Sequence, residues 1–235
     1  ISTRDWSSDV CSSDLVVTGA CAPVSVVSNT AVLVVNTNAR ITSSPVPAQA
    51  VCPGSNVVLN VGASGTGLSY QWRFNGSPIT GNASATTPTL ALTNVNSGAA
   101  GSYDCVVNGT CGGPGAVSGV SVLTINTPIS ITSSPANQVV CARADVTFSV
   151  ANVGTGATYS WRYNGSPIQG NPTALTNTLI LSSVSNTNIG VYDVVVSGTC
   201  NIAVSTPATL VVQSVLNITT QPEPSRICEG ATLQA

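Results

Sequence analysis

Cysteine is the chemically reactive residue that recurs in this chain with a regular spacing. Of the eight cysteines, six fall into two classes, one after a first predicted strand and one before a last predicted strand. The first class is Cys52, Cys141 and Cys228, and the second is Cys21, Cys111 and Cys200. Because each repeating segment holds one of each class, the pattern predicts disulfides, with Cys52, Cys111, Cys141 and Cys200 as candidates. Disulfides are typical of an oxidising, extracytoplasmic setting.

The other residue types that catalysis or metal binding usually require are scarce. The chain has no His, so a serine or cysteine triad lacks its usual base and a zinc site lacks its usual nitrogen ligands. Lys is absent too, which excludes Lys–Asn isopeptide crosslinks. The acidic residues after residue 15 are few and dispersed, so neither a glycosidase carboxylate pair nor a calcium loop assembles. We therefore expect no enzyme activity, cofactor or metal.

Charge and hydropathy restrict the partners. Charged residues make up 6% of the chain and the formal net charge is −2. Nucleic-acid binding is not expected, because it requires clustered Lys and Arg and the Arg residues here are scattered. No apolar run reaches the roughly 18–20 residues of a membrane span. The sequons at 75–77, 164–166 and 108–110 are interpreted as turn chemistry in a chain rich in Asn, Ser and Thr.

One stretch occurs twice. Residues 69–82 (SYQWRFNGSPITGN) and 158–171 (TYSWRYNGSPIQGN) are identical at ten of fourteen positions, at an offset of 89 residues. Each copy predicts a β-hairpin around an Asn-Gly turn, because both turn positions require positive φ. The first strand of each hairpin carries a tryptophan, Trp72 or Trp161. A period of nearly ninety residues indicates tandem domains rather than one large fold.

The start of the chain matches none of the repeats. Residues 5–15 (DWSSDVCSSDL) resemble the translation of a sequencing-library adapter, so we set residues 1–15 aside as a non-native leader. Without them, five Arg balance five acidic residues. The predicted organisation is a leader (1–15), the last hairpin of a truncated domain (16–36), two complete repeats (41–126 and 131–213), and the start of another truncated domain (217–235).

Most of the remaining sequence predicts short strands. Val, Ala, Ser, Thr, Asn and Gly dominate, and no window shows a helical apolar stripe, so we predict an all-β chain. In the first repeat, alternation makes Val57, Leu59 and Val61 core residues. Pro45 and Pro47 interrupt its first strand, which places that strand at a sheet edge.

The ordered motifs Cys-Pro-Gly, Tyr-x-Trp-x-x-Asn-Gly, Thr-Leu-x-Leu, Gly-x-Tyr and Gly-x-Cys, on about seven short strands, resemble the immunoglobulin-like (Ig-like) sandwich. The resemblance covers about residues 16–235, and it looks most like tandem Ig-like repeats of large secreted bacterial surface proteins. It implies an all-β fold of tandem immunoglobulin-like β-sandwiches. It also implies that Trp72 and Trp161 lie in cores and that Tyr103 and Tyr192 form the tyrosine corners.

The chain departs from that family at the inter-sheet disulfide. Val61 and Val150 replace the second-strand cysteine, and the sixth-strand cysteine survives only as Cys105, with Val194 in the other repeat. We therefore interpret Cys105 as a reduced core residue.

The connectivity of the other cysteines stays open between two schemes. Pairing within a repeat joins Cys52 to Cys111 and Cys141 to Cys200. The resemblance places those turns at opposite ends of a sandwich, about 23 Å apart, whereas a disulfide requires Cα atoms within about 7 Å. Pairing between repeats joins Cys52 to Cys200, and we favour this scheme.

Two charged pairs recur together, Arg73 with Asp104 and Arg162 with Asp193. The residues next to them in the sequence are predicted to face the core. Because successive side chains of a strand point to opposite faces, we expect these charged side chains to point outward from adjacent strands. We interpret them as exposed cross-strand ion pairs, with a binding role for this face as the alternative.

These observations favour a non-catalytic spacer region of a secreted or cell-surface bacterial protein, with neighbouring Ig-like repeats of the same chain as partners. One alternative is an adhesin whose loops bind a cell-surface glycan or protein. Another is a set of accessory domains of a secreted hydrolase.

Overall fold

The protein is described from a computed structural model. The described residues are 10–13, 15–21, 25–214 and Glu229. The predicted start of a further repeat at 217–235 therefore lies outside them, apart from Glu229.

The chain divides into two units, residues 1–127 and 128–235. The division falls in the short stretch between the two predicted repeats, 41–126 and 131–213, but Ile129 in that stretch is not a free connector. Ile129 is buried in the core of the second unit, and its main chain is held by the Asn201 side chain through bonds of 2.6 and 3.0 Å. Because removing an apolar side chain from water is favourable, an isoleucine next to a predicted core packs into that core.

The N-terminal segment forms short strands: β1 (Val10–Ser13), β2 (Val16–Thr18), β3 (Ser25–Val27) and β4 (Ala31–Val34). β2 and β3 form an antiparallel hairpin. β1, which belongs to the segment that we set aside as a leader, pairs antiparallel with β4. This pairing uses main-chain groups, so it requires no sequence relation to the repeats. The side chains of β2, β3 and β4 are exposed.

The first complete sandwich follows. Its strands are β5 (Arg40–Ser43), β6 (Ala48–Val51), β7 (Val57–Asn60), β8 (Gly62–Ser64), β9 (Ser69–Phe74), β10 (Ser77–Pro78), β11 (Thr89–Leu92), β12 (Gly101–Asn108), β13 (Ala116–Val117) and β14 (Ser121–Ile125). Two 3₁₀ turns, Ala83–Thr86 and Ser97–Ala99, lie between them.

In this sandwich a six-stranded sheet faces two two-stranded sheets, which together are called the smaller sheet. The larger has the order β10–β9–β12–β14–β6, with β13 also on β12. In the smaller, β5 pairs with β8 and β11 with β7. Pro45 and Pro47 lie between β5 and β6, where the chain crosses from the smaller to the larger sheet. β6 then pairs parallel to β14 at the sheet edge. The prolines therefore interrupt the first strand and move it to the opposite sheet.

The predicted alternation is present in the core of this sandwich. Val57, Leu59 and Val61 are buried, and the residues between them are exposed. The complete buried cluster is Val57, Leu59, Val61, Trp72, Ala85, Leu90, Val95, Tyr103, Cys105, Val107 and Leu123.

The second sandwich repeats this arrangement. Its strands are β15 (Ser130–Ser133), β16 (Gln138–Cys141), β17 (Val146–Ser149), β18 (Ala151–Val153), β19 (Thr158–Tyr163), β20 (Ser166–Pro167), β21 (Thr178–Leu181), β22 (Gly190–Ser197), β23 (Ile202–Val204) and β24 (Ala208–Gln213). Its 3₁₀ turns are Pro172–Leu175 and Asn186–Asn188. The larger sheet has the order β16–β24–β22–β19–β20, with β23 on β22, and β15–β18 and β17–β21 make the smaller.

Polar side chains cap the outer edge of the smaller sheet. In the first sandwich Asn82 Nδ2 donates to the Ala91 carbonyl at 2.9 Å, and the Ala91 N–H donates to Ser84 Oγ at 2.9 Å. In the second, Asn171 and Thr173 make the same two bonds to Ile180. The residues of the 3₁₀ turn thus take the place of a further strand. They satisfy main-chain hydrogen-bonding groups of the edge strand that would otherwise be open to pairing with another strand.

Candidate functional site

The tryptophans of the two hairpins lie in separate cores. Trp72 on β9 and Trp161 on β19 are both fully buried, each in the cluster of its own sandwich. Each indole Nε1 donates at 2.9 Å to a main-chain carbonyl of the segment after the first 3₁₀ turn, Thr87 or Thr176. A buried indole needs such an acceptor, because an unpaired N–H in the core costs free energy. Each tryptophan therefore fixes the fold locally.

The tyrosines of the Gly-x-Tyr motifs connect a 3₁₀ turn to the larger sheet through a hydrogen bond. The Tyr103 hydroxyl donates to the Ala99 carbonyl at 2.7 Å, and the Tyr192 hydroxyl donates to the Asn188 carbonyl at 2.8 Å. Both bonds reach back four residues, as in the tyrosine corner of Ig-like domains. Burial raises the pKa of Tyr103 and, with a smaller contribution from Tyr163, raises the pKa of Tyr192 to about 12. Both phenols therefore stay neutral donors near neutral pH.

The glycine of Gly-x-Tyr has a steric role. A Cβ on Gly101 would lie 2.5 Å from the Phe74 ring, and a Cβ on Gly190 would lie 2.5 Å from the Tyr163 ring. These aromatic rings pack against the tyrosines of the corners. The ring centroids are 5.0 Å apart for Phe74–Tyr103 and 5.1 Å apart for Tyr163–Tyr192. The glycine makes this aromatic contact possible.

The hairpin asparagines have a second function that sequence reasoning missed. Asn75 and Gly76 have φ values of 49° and 82°, as the predicted turn requires. In addition, Asn75 Oδ1 accepts from the Ser102 N–H at 2.9 Å, and Asn164 Oδ1 accepts from the Val191 N–H at 2.9 Å. The turn side chain is thereby docked on the neighbouring strand.

The Arg–Asp pairs lie where the sequence places them. Arg73 is directly opposite Asp104 in the β9–β12 register, and Arg162 is opposite Asp193. Each pair is bidentate, with N–O distances of 2.6–2.7 Å. The hydrogen bond to Asp104 raises the pKa of Arg73. The arginine side chains are 28% exposed, so the pairs are half-buried rather than fully exposed, and neither guanidinium is free for a ligand.

Among the described residues, cysteines occur in three states. Cys105 is a free thiol that is fully buried, and burial raises its pKa to about 11. Cys52 and Cys200 are disulfide-bonded, whereas Cys111 and Cys141 are exposed free thiols. Neither pair of the scheme within a repeat is formed in this structure, because each pair has one bonded and one free member. The physical reason is the one expected: the two turns lie at opposite ends of a sandwich. Which of the four candidate cysteines form disulfides stays a prediction, as does connectivity between repeats.

A shallow apolar groove recurs beside each tyrosine corner. In the second sandwich it has a volume of about 340 Å³ and is bordered by Tyr163, Pro167, Ile168, Leu181 and Tyr192, among others. The equivalent groove in the first sandwich has a volume of about 300 Å³. The tyrosine hydroxyls at the second groove already donate to main-chain carbonyls. The groove therefore offers apolar contact rather than acid–base chemistry.

The described residues hold no group of three or more His, Cys, Asp or Glu that could bind a metal ion. In the same part of the chain, no helix is long and apolar enough to cross a membrane.

Comparison with known proteins gives structural likeness alone. No family model matches the chain, and no curated protein matches it. Among solved structures, an I-band fragment of titin matches with a TM-score of 0.65 and 16% identity, covering 75% of this chain and 66% of that chain. A Sidekick-1 fragment of immunoglobulin domains matches with a TM-score of 0.62 and 20% identity, covering 80% and 54% respectively. A fragment of Rst matches with a TM-score of 0.57 and 18% identity, covering 75% and 100%.

The chain folds as tandem Ig-like β-sandwiches. This confirms the predicted fold class. At identities of 16–20% the likeness shows the fold alone. The chain spans about two thirds of the titin fragment and about half of the Sidekick-1 fragment.

Proposed function

We propose that this chain is a non-catalytic spacer region of a secreted or cell-surface bacterial protein. Its repeats would act geometrically, as modules that hold a more distal part of the protein away from the cell. Neighbouring repeats of the same chain are then the principal partners. The domain bounds predicted from the sequence, with complete repeats at 41–126 and 131–213, are part of this proposal.

The single observation that carries the proposal is where the aromatic side chains lie. Among the described residues, every Trp, Tyr and Phe is buried or half-buried. Binding hot spots draw on exposed Trp, Tyr and Arg. The two arginines on the larger sheets, Arg73 and Arg162, are each occupied by an aspartate. The aromatic side chains and these two arginines are therefore engaged within their own modules, whereas an adhesin would present such residues to its ligand.

The capped sheet edges support the same function. Because Asn82 and Ser84 satisfy the outer strand of the smaller sheet, that strand offers little to a foreign strand. A repeated spacer at high local concentration requires such protection, since open edges favour aggregation between modules.

The test is a glycan and protein array probed with the full chain. We expect no signal above that of a double variant, Thr80→Arg with Gln169→Arg. These two exposed residues stand at the rims of the two apolar grooves, so bulky charges there block the grooves without touching a core. Binding by the native chain that the double variant loses would replace the spacer proposal with an adhesin that uses the grooves. Binding that survives in the variant would assign adhesion to another surface and would equally overturn the spacer.

The grooves are the observation that keeps the adhesin as the second candidate. No described residue favours the hydrolase alternative, which the full-length gene decides.

A further inference from the structure

The three Asn-x-Ser/Thr sequons lie in different local structures. Two of them, at 75–77 and 164–166, form the hairpin turns. Their asparagines have φ values of 49° and 47°, and each Oδ1 accepts a hydrogen bond from a main-chain N–H of the neighbouring strand. The geometry of the turn therefore explains these two sequons, and it holds their amide groups in place.

The third sequon, at 108–110, has no such explanation. Asn108 is the last residue of β12, so its backbone is extended and does not form a positive-φ turn. The residue is exposed, and its side chain makes no hydrogen bond to any residue that the structure describes. The second sandwich has Ser197 at the same place, the end of β22. The fold therefore does not require an amide at this position.

Open space lies beside the Asn108 amide. A cavity of about 320 Å³ is bordered by Asn108 and the loop 111–115, among others. A Cβ on Gly115 would collide with Asn108 Oδ1, whereas a Cβ on Gly112 or Gly113 would meet nothing within 4 Å. Glycine at position 115 thus leaves room for the amide, and the two glycines before it carry no side chain that could fill the space in front of it.

The threonine of this sequon is fixed near the asparagine. The Thr110 N–H and Oγ1 both donate to the Thr66 carbonyl, at 2.9 and 3.0 Å. Thr199 in the second sandwich makes the same two bonds to the Thr155 carbonyl. Thr110 is exposed, and a hydroxyl that donates one hydrogen bond still has lone pairs that accept another. The sequon therefore presents both of its recognition groups, the amide and the hydroxyl, to solvent.

We propose that Asn108 is an N-glycosylation site whose glycosyl donor is a sugar diphosphate, carried on a nucleotide or on a polyprenol. Asn108 Nδ2 forms a bond to the anomeric carbon of the sugar, and the bond between that carbon and the diphosphate oxygen breaks. The diphosphate leaves with the bonding electron pair, and the proton released from Nδ2 passes to solvent. No oxidation or reduction is involved.

A glycan at this place has a physical use. Charged residues make up only 6% of the chain, so the chain has little charge to keep it in solution. A bulky, hydrophilic glycan on an exposed strand end supplies solubility in another way. This inference goes beyond the proposed function, because it holds equally for modules that act as spacers and for modules that bind a ligand.

The experiment glycosylates the full chain under native conditions in two arms that distinguish the donors. One arm uses a sequon-specific N-glycosyltransferase with UDP-glucose, and the other uses an oligosaccharyltransferase with a polyprenyl-diphosphate oligosaccharide. Peptide mapping by mass spectrometry then identifies the modified asparagines. We expect sugar on Asn108 in at least one arm, and none on Asn75 or Asn164 in either.

Matched variants make the test specific. Asn108→Gln and Thr110→Val should each abolish the modification, whereas Thr110→Ser, which keeps the hydroxyl, should retain it. Because the Asn108 side chain is exposed and unbonded, Asn108→Gln should leave the buried Cys105 thiol of the same strand protected from a thiol reagent. The inference is wrong if Asn108 of the folded chain stays unmodified in both arms, or if Asn75 and Asn164 are modified as fast as Asn108. Either result leaves the spacer proposal standing, because that proposal is decided by the array.

Discussion

A single buried hydroxyl in the first sandwich should lower its stability. Ser121 is fully buried, and among the described residues its Oγ is the buried side-chain oxygen with no hydrogen-bond partner. It lies opposite Tyr103 in the β12–β14 register. The second sandwich has Ala208 in the same place, opposite Tyr192 and also fully buried. The sister repeat thus shows that an alanine fits this position.

Ser121→Ala should therefore stabilise the first sandwich. The substitution removes one oxygen and introduces no new atom, so no overpacking results. A buried polar group without a partner costs about 1–3 kcal/mol, and this is the range of stabilisation that we expect. It corresponds to roughly a 5- to 160-fold lower population of the opened first sandwich.

The core thiol of the same sandwich provides the assay. Cys105 is fully buried with a pKa of about 11, so a thiol reagent reaches its thiolate only when the sandwich opens. The exposed thiols are first blocked under native conditions, and the labelling rate of Cys105 is then followed by mass spectrometry. Because the second sandwich has Val194 in place of Cys105, the rate reports the first sandwich alone. We expect Ser121→Ala to slow the labelling by the factor given above.

The control is the reverse exchange in the second sandwich. Ala208→Ser should leave the labelling rate of Cys105 unchanged, and should speed labelling of a thiol placed at the equivalent core position by Val194→Cys. Labelling of Cys105 that is as fast in Ser121→Ala as in the native chain would show that the hydroxyl carries no desolvation cost and would contradict this prediction.

Three further perturbations test other parts of the structure. Arg73→Ala should cost only about 0–1 kcal/mol, since its ion pair remains partly exposed, and a much lower urea midpoint would contradict this. Gly101→Ala should cost about 1–3 kcal/mol by overpacking against Phe74, seen as faster labelling of Cys105. The folded pKa of Tyr192 is raised to about 12, above the ordinary tyrosine value of about 10. Its stabilisation should therefore be complete below pH 10 and lost as pH rises from 10 to 12, and Tyr192→Phe should flatten that part of an alkaline unfolding profile.

Much of the fold could be predicted because local and global signals agree. The Asn-Gly turns require positive φ at Asn75 and Gly76, and the alternation at Val57 and Leu59 leaves only one face to bury. Most motifs occur a second time at an offset of 89 residues, so the prediction of each domain did not depend on a single weak motif. The Arg73–Asp104 register followed from which neighbours had to face inward.

The features that escaped prediction depend on distances that sequence does not specify. The role of Asn82 as an edge cap requires that the 3₁₀ turn pass beside Ala91, nine residues later. The main-chain N–H of the buried Ile129 donates to the side chain of Asn201, which is 72 residues away. The exposed state predicted for the ion pairs was too simple, because the Arg73 side chain is only 28% exposed and the alternation of residues along one strand does not specify that fraction.

The edge cap explains why the same turn can be built from different residues. Asn82 acts in both directions: its Oδ1 accepts from Ser84 N–H at 2.9 Å, and its Nδ2 donates to the Ala91 carbonyl at 2.9 Å. An aspartate at this position could accept the first hydrogen bond but could not donate the second. Only an amide side chain can make both. The second position needs merely a hydroxyl that accepts from the edge strand, and it is Ser84 in one sandwich and Thr173 in the other. Sequence identity is thus retained where one side chain must both donate and accept, and relaxed where either of two hydroxyls can serve.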